Sequence, residues 1–196
     1  MDKIIFASRN AGKIREVREI LKNDFEVLSI DGIELPEVVE DGKTFEENAK
    51  KKAFEVYNQL FVPIIADDSG ISVEQLNGLP GVDSKIFAGE NATDEMNNQK
   101  LINEISKFNP PHLAKYICCA VYYDGKNLIS TFGECEGRIT TTPNGANGFG
   151  YDPFFLPNGF NVTMAEIDAE TKNKISHRFK AFSLLKELIK KNGDEL

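Results

Sequence analysis

Two adjacent carboxylates, a hydroxyl and a glycine directly follow a short apolar run, and these residue types suit metal and phosphate chemistry. The apolar run covers residues 64–66, and the polar residues are Asp67, Asp68, Ser69 and Gly70. The run predicts a buried strand that ends here, and ligands of open α/β sheets bind at such strand ends. Carboxylate oxygens are the hard ligands that Mg²⁺ prefers. On this stretch alone, an ordinary Asp/Ser/Gly turn without chemistry is an equal alternative.

Neighbouring residues on a strand point to opposite faces of the sheet. We therefore expect Asp67 and Asp68 to have different roles, with one carboxylate facing a cleft and the other bracing the turn.

The composition excludes several classes of protein. The chain has 196 residues with 41% hydrophobic residues, enough for one sizeable domain or two small lobes. A formal net charge of -8 argues against nucleic-acid polymers and anionic membranes as partners, although a small anion can bind where a few cations converge with a metal. No stretch is long and apolar enough to cross a bilayer, and the first residues do not form a signal peptide. Three cysteines in no zinc-binding pattern predict buried thiols, and we expect a cytoplasmic protein.

The chain begins with a strand–turn–helix pattern that favours anion binding. An apolar strand over residues 3–7 precedes a polar turn that ends in Lys13, and Ile14, Val17 and Leu21 then recur at helical spacing. The first N–H groups of such a helix, together with Lys13, form a ready anion site. The spacing does not match the phosphate-binding P-loop, and a plain βα turn with an exposed lysine is the alternative.

The remaining pattern predicts an α/β fold in which strands and helices alternate. A capping box of Thr44 and Glu47 begins a helix that runs to about residue 60, and Thr93 caps another helix. Further strands are predicted over residues 71–76 and 137–140, with a β-hairpin of residues 115–123 and 127–134 that could belong to a second lobe.

Two later stretches suit a flat anionic ligand. Residues 144–155 place three glycines beside four aromatic residues, which favours a loop that a flat ligand can approach closely; an aromatic core flanked by turns is the alternative. The last predicted helix starts near Ser176, so His177 and Arg178 lie in its first turn. Positive charge is unfavourable there, and a bound anion would account for it.

Five short motifs occur in order along nearly the whole chain. They are Ser8-x-Asn10-x-x-Lys13, Ala66-Asp67-Asp68-Ser69-Gly70, Gly78-x-Pro80-Gly81, Phe149-Gly150-Tyr151-Asp152-Pro153 and Ser176-His177-Arg178. Each motif is weak alone, but together they resemble the inosine triphosphate pyrophosphatase family of enzymes, which remove non-standard purine nucleotides. Ser8 and Arg9 depart from the pattern, because many members carry threonine and glycine at these positions.

This resemblance implies Mg²⁺-dependent hydrolysis of dITP, ITP and XTP to the monophosphate and pyrophosphate. It also implies an α/β fold, an elongated mixed β-sheet with flanking helices and two lobes around a central nucleotide-binding cleft. The whole of residues 1–196 would form a single pyrophosphatase domain with these two lobes, and the enzyme would be a homodimer.

The motif residues of the family carry over to this chain by position. Asp68 would be the catalytic acid/base residue and a metal ligand, although the sequence does not separate these two roles. Glu40 would be the second metal ligand, with Glu37 and Asp41 as neighbouring alternatives. The triphosphate and the nucleotide would be bound by Ser8, Arg9, Asn10, Ala11, Gly12, Lys13, Lys52, Ser69, Phe149, Gly150, Tyr151, Asp152, Lys172, His177 and Arg178.

Two other functions fit parts of the pattern. A related-fold enzyme that removes modified pyrimidine nucleotides is disfavoured by Phe149-Gly150-Tyr151-Asp152 together with Ser176-His177-Arg178. A nucleotide-binding regulatory module without catalysis is disfavoured by the complete set of carboxylates.

Overall fold

A computed structural model describes residues 2–193 of the chain as a six-stranded sheet with flanking helices. In chain order the elements are β1 (Asp2–Phe6), α1 (Ala11–Leu21), β2 (Phe25–Ser29), α2 (Phe45–Leu60), β3 (Ile64–Val73), α3 (Asp94–Ile105), β4 (His112–Tyr123), β5 (Leu128–Ile139), β6 (Phe155–Pro157), α4 (Ala169–Ile175) and α5 (His177–Gly193). The strand order is β2-β1-β3-β4-β5-β6, with β1 parallel to β2 and β3 and with β6 antiparallel to β5. The sheet is therefore mixed, and the predicted α/β class is confirmed.

The described chain forms two compact units. The first unit contains the residues up to Asp68, Cys118–Gly133 and the residues from His177 onward. The second unit contains Ser69–Ile117 and Glu134–Ser176. The chain passes from one unit to the other four times, and three of these crossings fall inside β3, β4 and β5.

Apolar side chains cover both faces of the sheet in the first unit. On one face Ile65 of β3 belongs to a cluster with side chains of α1 and α5, including an edge-to-face pair of Phe6 and Phe182 at 5.8 Å. On the other face Ile64 and Ala66 belong to a cluster with α2. This alternation, the normal period of a strand, assigns Asp67 to the α1/α5 face and Asp68 to the α2 face.

The second unit has its own core. Ile71 and Val73 of β3 pack with Leu101 and Ile105 of α3, and the same cluster includes Phe155 of β6. All five side chains are fully buried, so apolar contacts hold one face of this part of β3.

Local sequence signals identified the helix starts correctly. Thr44 and Glu47 form the predicted capping box of α2, and Thr93 caps α3 as predicted. The structure adds Asn10 as the cap of α1. The last helix begins at His177, as predicted, and the three cysteines are buried. Among residues 2–193, no helix combines the length and the hydropathy of a membrane span.

Several predicted boundaries were wrong. β3 continues through Ser69 and Gly70 to Val73, so Asp67 and Asp68 lie in the middle of a strand and not in a turn after it. Residues 74–76 form a 3₁₀ helix instead of a strand, residues 137–139 extend β5, and α4 was not predicted. Burial of Ile71 and Val73 in the second core explains the first error, because packing overrides the turn preference of Asp, Ser and Gly.

Candidate functional site

Asp67 is a buried anion that two cations hold in the first unit. The Nζ of Lys13 donates to Asp67 Oδ1 at 3.2 Å and lies 3.1 Å from Oδ2. The Nε and Nη2 of Arg178 donate to Oδ2 at 3.2 and 3.3 Å. Burial alone would raise the pKa of Asp67, but the charges of Lys13 and Arg178 outweigh it and hold this pKa well below its ordinary value.

The same contacts explain the cations at the start of α5. Arg178 is fully buried, and its Nη1 donates to Glu16 Oε2 of α1 at 2.5 Å. The anions that offset its charge include two carboxylates of the protein itself, Asp67 and Glu16. A bound ligand is therefore not needed to explain this arginine, and its predicted contact with the nucleotide stays a prediction. His177 is buried beside it.

Asp68 faces α2 and has a different environment. Asn48 Nδ2 donates to Asp68 Oδ2 at 3.0 Å, and Lys52 Nζ lies 3.7 Å from Asp68 Oδ1. Asn48 and Lys52 are one turn apart on α2 and so share one face of the helix. Burial raises the pKa of Asp68 above its ordinary value, with Lys52 opposing this shift and Glu40 adding to it.

Glu40 is joined to Asp68 through the same ammonium group. Lys52 Nζ donates to Glu40 Oε2 at 2.8 Å, whereas the neighbouring Asp41 pairs with Lys51 at 2.6 Å. Asn48 Oδ1 also accepts from the backbone N–H of Gly42 at 2.8 Å, which ties the loop that contains Glu40 and Asp41 to the helix that carries Lys52. Glu40, and not Asp41, therefore shares the ammonium group of Lys52 with Asp68.

The donor set of Asp68 and Glu40 fits Mg²⁺. This ion takes one or two protein carboxylates and fills its other positions with water and substrate phosphates. Both carboxylates contact the ammonium group of Lys52, so a cation already lies between them. Within residues 2–193, no cluster of three or more His, Cys, Asp or Glu side chains is arranged to hold a metal, so a closed all-protein site is not formed there.

The turn before α1 presents the predicted helix N-terminus. Asn10 Oδ1 accepts from the backbone N–H of Lys13 at 3.0 Å, and Ser8 Oγ accepts from the N–H of Asn10 at 3.2 Å. Ala11 and Gly12 are the first helical residues, and the first N–H groups of a helix have no intrahelical partner. The side chain of Arg9 extends to the segment after β2, where its Nη2 donates to the carbonyls of Ile33 and Leu35 at 3.4 and 3.1 Å.

In the ion pairs of the first unit described here, carboxylates outnumber cations. Three cations, Lys13, Lys52 and Arg178, face four carboxylates, those of Glu16, Glu40, Asp67 and Asp68. The named group therefore carries one net negative charge. Carboxylates of the protein thus already offset the charges of these three cations.

In the second unit, Asp152 organises the glycine-aromatic loop. Its Oδ2 accepts from the N–H of Phe149 at 3.0 Å and from Lys172 Nζ at 2.6 Å, and its Oδ1 accepts from Tyr116 OH at 3.2 Å. Gly148 has φ +80°, and a Cβ there would overlap the Asp152 carboxylate, so the loop requires glycine at this position. A buried carboxylate with three protein donors has a fixed orientation.

The aromatic residues of this loop have different surroundings. Phe149 is half-buried, and Lys172 Nζ lies 5.2 Å from the centre of its ring, a cation–π distance. Tyr151 is buried, and its hydroxyl donates to the carbonyl of Ser84 at 2.7 Å. The tyrosine therefore anchors the loop, whereas Phe149 retains exposed ring surface. Ser69, on β3, is half-buried in the same unit.

The predicted site residues thus form two groups, one in each unit, and some of their partners were missed. Asn48 shares a helix face with Lys52 at a spacing of four residues, and this spacing was the only local signal for it. Glu16, Ser84, Asp94, Asn98 and Tyr116 gave no recognisable signal, because each acts on a residue far away in the chain.

An α/β sheet with a buried carboxylate pair, lysines and a capped helix N-terminus defines a class of phosphate-handling proteins. Comparison with known proteins identifies the family. The chain matches the model of the Ham1 family over residues 4–188, and it belongs to this family. The resemblance predicted from the sequence is confirmed.

Individual relatives match over nearly their full length. The chain is 44% identical to a protein of Geobacter sulfurreducens named dITP/XTP pyrophosphatase, and the match covers 100% of each chain. A Ham1 protein of Coxiella burnetii has a solved structure that superposes with a TM-score of 0.88 at 35% identity, covering 97% of this chain and 100% of that one. The Ham1 protein of Staphylococcus aureus gives 0.86 at 37% identity with the same coverage.

Proposed function

We propose that this protein hydrolyses non-standard purine nucleoside triphosphates, namely dITP, ITP and XTP, to the monophosphate and pyrophosphate. Relatives that match the whole chain carry the name dITP/XTP pyrophosphatase, which supports this activity. The structural observation that carries the proposal is Asp68, a buried carboxylate with a raised pKa that shares the ammonium of Lys52 with Glu40.

Mg²⁺ is the proposed cofactor, with Asp68 and Glu40 as its protein ligands. When bound, it would act as a Lewis acid on the phosphoryl oxygens. The charge balance supports this choice, because the named ionic group of the first unit has one more carboxylate than cations. A divalent cation would reverse that balance and allow a triphosphate to bind.

The first unit would bind the triphosphate. The N–H groups at the start of α1, from Ala11 and Gly12, would donate to phosphate oxygens, and the segment from Ser8 to Lys13 would form their frame. The side chains of Lys13 and Lys52 are 16% and 11% exposed, and both ammonium groups would turn from a carboxylate to a phosphate when the substrate binds.

Asp68 would accept the proton of the attacking water. The raised pKa of its carboxyl brings it closer to neutrality, where a general base works best. The water oxygen forms a bond to the α-phosphorus, the bond between that phosphorus and the bridging oxygen breaks, and pyrophosphate leaves with the electron pair. Asn48 would keep the carboxylate oriented through its bond to Oδ2.

The loop of the second unit would bind the base. Phe149 supplies an aromatic surface on which any purine can stack, which gives affinity but little discrimination. Hypoxanthine and xanthine have a 6-oxo acceptor and an N1–H donor, whereas adenine has a 6-amino donor and no N1–H. Backbone N–H groups of this loop could donate to the oxo group, and Asp152 could accept from N1–H.

Such recognition can give large discrimination, because a wrong base leaves buried polar groups unpaired. The expected advantage of ITP over ATP in kcat/KM is about 10⁴-fold.

We also propose that both units serve this one activity, that the enzyme is a homodimer, and that it works in the cytoplasm. The oligomer proposal rests on the family resemblance. Light scattering at micromolar concentrations should give the dimer mass, and a monomer mass across that range would refute it.

The proposed function is tested by following products from ITP with and without Mg²⁺, with ATP as the control substrate. We expect IMP and pyrophosphate from ITP only when Mg²⁺ is present, and far slower release from ATP. Equal efficiency on ATP and ITP would refute the base recognition. Binding of ITP without any turnover would favour a non-catalytic nucleotide-binding module, and turnover of modified pyrimidine nucleotides alone would favour the related-fold alternative.

A further inference from the structure

Two side chains of α3 hold both peptide groups of Gly150. Asp94 Oδ2 accepts from the N–H of Gly150 at 2.7 Å, and Asn98 Nδ2 donates to its carbonyl oxygen at 3.0 Å. Asp94 and Asn98 are four residues apart, so they lie on the same face of α3. The glycine is thus fixed at its donor and at its acceptor by one rigid element of the second unit.

The conformation of Gly150 affects the direction of the loop on both sides of it. It has φ +62°, a left-handed conformation, and it stands between Phe149 and Tyr151. Few residues other than glycine adopt this conformation, and a change in the dihedral angles of Gly150 redirects the residues on either side. Nothing lies within 4 Å of a Cβ placed at Gly150, which means that side-chain packing at this residue does not hold it.

The orientation of the Asn98 amide follows from its partner. A carbonyl oxygen only accepts, so the amide must present its NH₂ group to Gly150 and direct Oδ1 elsewhere. That Oδ1 is buried without a hydrogen-bond partner among the described residues, and Asn98 is 8% exposed. A buried polar atom left unpaired is unfavourable, so a residue of this kind needs a compensating role. Fixing Gly150 supplies that role.

We propose that Asp94 and Asn98 are positioning residues that set the base specificity of this enzyme. The inference rests on the proposed function. By fixing Gly150 they direct the ring of Phe149 and bring its N–H to the Asp152 carboxylate. Loosening either bond would let the loop adopt other conformations, which weakens binding of the correct base and reduces its advantage over adenine. Neither residue contacts the reacting atoms, so kcat is largely preserved.

The pair Asp94→Ala and Asp94→Asn gives the sharpest test. Alanine removes the acceptor of the Gly150 N–H, whereas the asparagine Oδ1 can still accept that bond. Glu95→Ala is the matched control, because Glu95 is exposed in the same first turn of α3 and carries the same charge. Asn98→Ala and Asn98→Asp test the bond from Asn98 to the carbonyl of Gly150. Alanine only removes the donor, whereas the aspartate carboxylate places an acceptor against the carbonyl oxygen.

Binding and turnover are measured on the same proteins. Calorimetry gives the dissociation constants of IMP and AMP, which need no hydrolysis, and steady-state assays give kcat and KM for ITP and ATP. Losing one hydrogen bond should weaken IMP binding and raise the KM for ITP about tenfold in Asp94→Ala. The preference for IMP over AMP should fall to a similar extent, with kcat within about twofold of wild type, and Asp94→Asn should restore both values.

The outcomes separate this inference from the proposed function. A wild type that prefers IMP over AMP but does not hydrolyse ITP would refute the proposed activity, while the IMP and AMP constants of the variants would still decide the role of Asp94. An unchanged preference in folded Asp94→Ala would overturn the inference, and so would an equal change in Glu95→Ala. A lower melting temperature of Asp94→Ala with an unchanged preference would show a purely structural role and overturn it as well.

Discussion

The two faces of β3 treat neighbouring carboxylates in opposite ways. Asp67 and Asp68 are both buried, with 1% and 4% of their surface exposed. On the α1/α5 face, Asp67 receives direct bonds from Lys13 and Arg178, and its pKa is lowered. On the α2 face, Asp68 accepts a bond from the neutral amide of Asn48, and the ammonium of Lys52, which also contacts Glu40, lies 3.7 Å from it. Its pKa is raised.

Burial alone therefore does not determine whether a carboxylate can accept a proton or bind a metal. Direct pairing with two cations keeps Asp67 ionised and leaves it little capacity to accept a proton or to bind a metal. A shared and longer contact leaves Asp68 able to do both. We infer that Asp67 stabilises the first unit and that Asp68 carries the chemistry, and the predictions below test this contrast.

The largest expected effect is that of Asp68→Asn on turnover. The change preserves shape, but it removes a proton acceptor and a proposed metal ligand, which should lower kcat for ITP by about 10²–10⁴-fold. The melting temperature should stay close to that of wild type. Pyrophosphate release measured by a coupled assay, with circular dichroism as the folding control, checks both statements. Near-normal turnover in the folded variant would remove Asp68 from the mechanism.

Asp67→Asn should act chiefly on stability. The amide cannot balance the charges of Lys13 and Arg178, and breaking a buried ion pair from one side costs about 3 kcal/mol in the free energy of unfolding. Urea denaturation measures this value. Glu26→Gln is the matched control, since Glu26 pairs with Lys3 on the exposed surface and should change the free energy by less than about 1 kcal/mol. A larger loss of kcat in Asp67→Asn than in Asp68→Asn would reverse the proposed contrast.

The smallest of these effects is expected for Glu40→Gln on the requirement for metal. Losing one of two carboxylate ligands should raise the Mg²⁺ concentration at half-maximal activity by about tenfold or more. Asp41→Asn is the control from the same loop, because Asp41 pairs with Lys51. Titration of Mg²⁺ at saturating ITP separates the two variants. Equal shifts in both would mean that the loop contributes only general negative charge.

Much of the fold was predictable because its signals are local. The capping box of Thr44 and Glu47 lies within four residues, and the alternation that assigns Asp67 and Asp68 to opposite faces follows from the strand period. The position of these residues within β3 was not predictable. Only the second core, with Ile71 and Val73 buried in it, explains why the strand continues through Ser69 and Gly70.

The candidate site was predictable as residue types but not as contacts. The sequence indicated that Arg178 needs an anion, yet its partner Asp67 is 111 positions away, and the pattern alone suggested a bound anion. The link of Asp94 to Gly150 spans 56 positions and has no local signature. Such pairings depend on tertiary packing, so no spacing rule within one element reveals them.

The central claim, that water attacks the α-phosphorus of a non-standard purine nucleotide, is tested most directly by isotope labelling. ITP is hydrolysed by the wild-type protein with Mg²⁺ in ¹⁸O-enriched water, and both products are analysed by mass spectrometry. We expect one ¹⁸O atom in IMP and none in pyrophosphate. Label in pyrophosphate, or formation of inorganic phosphate and IDP, would contradict it.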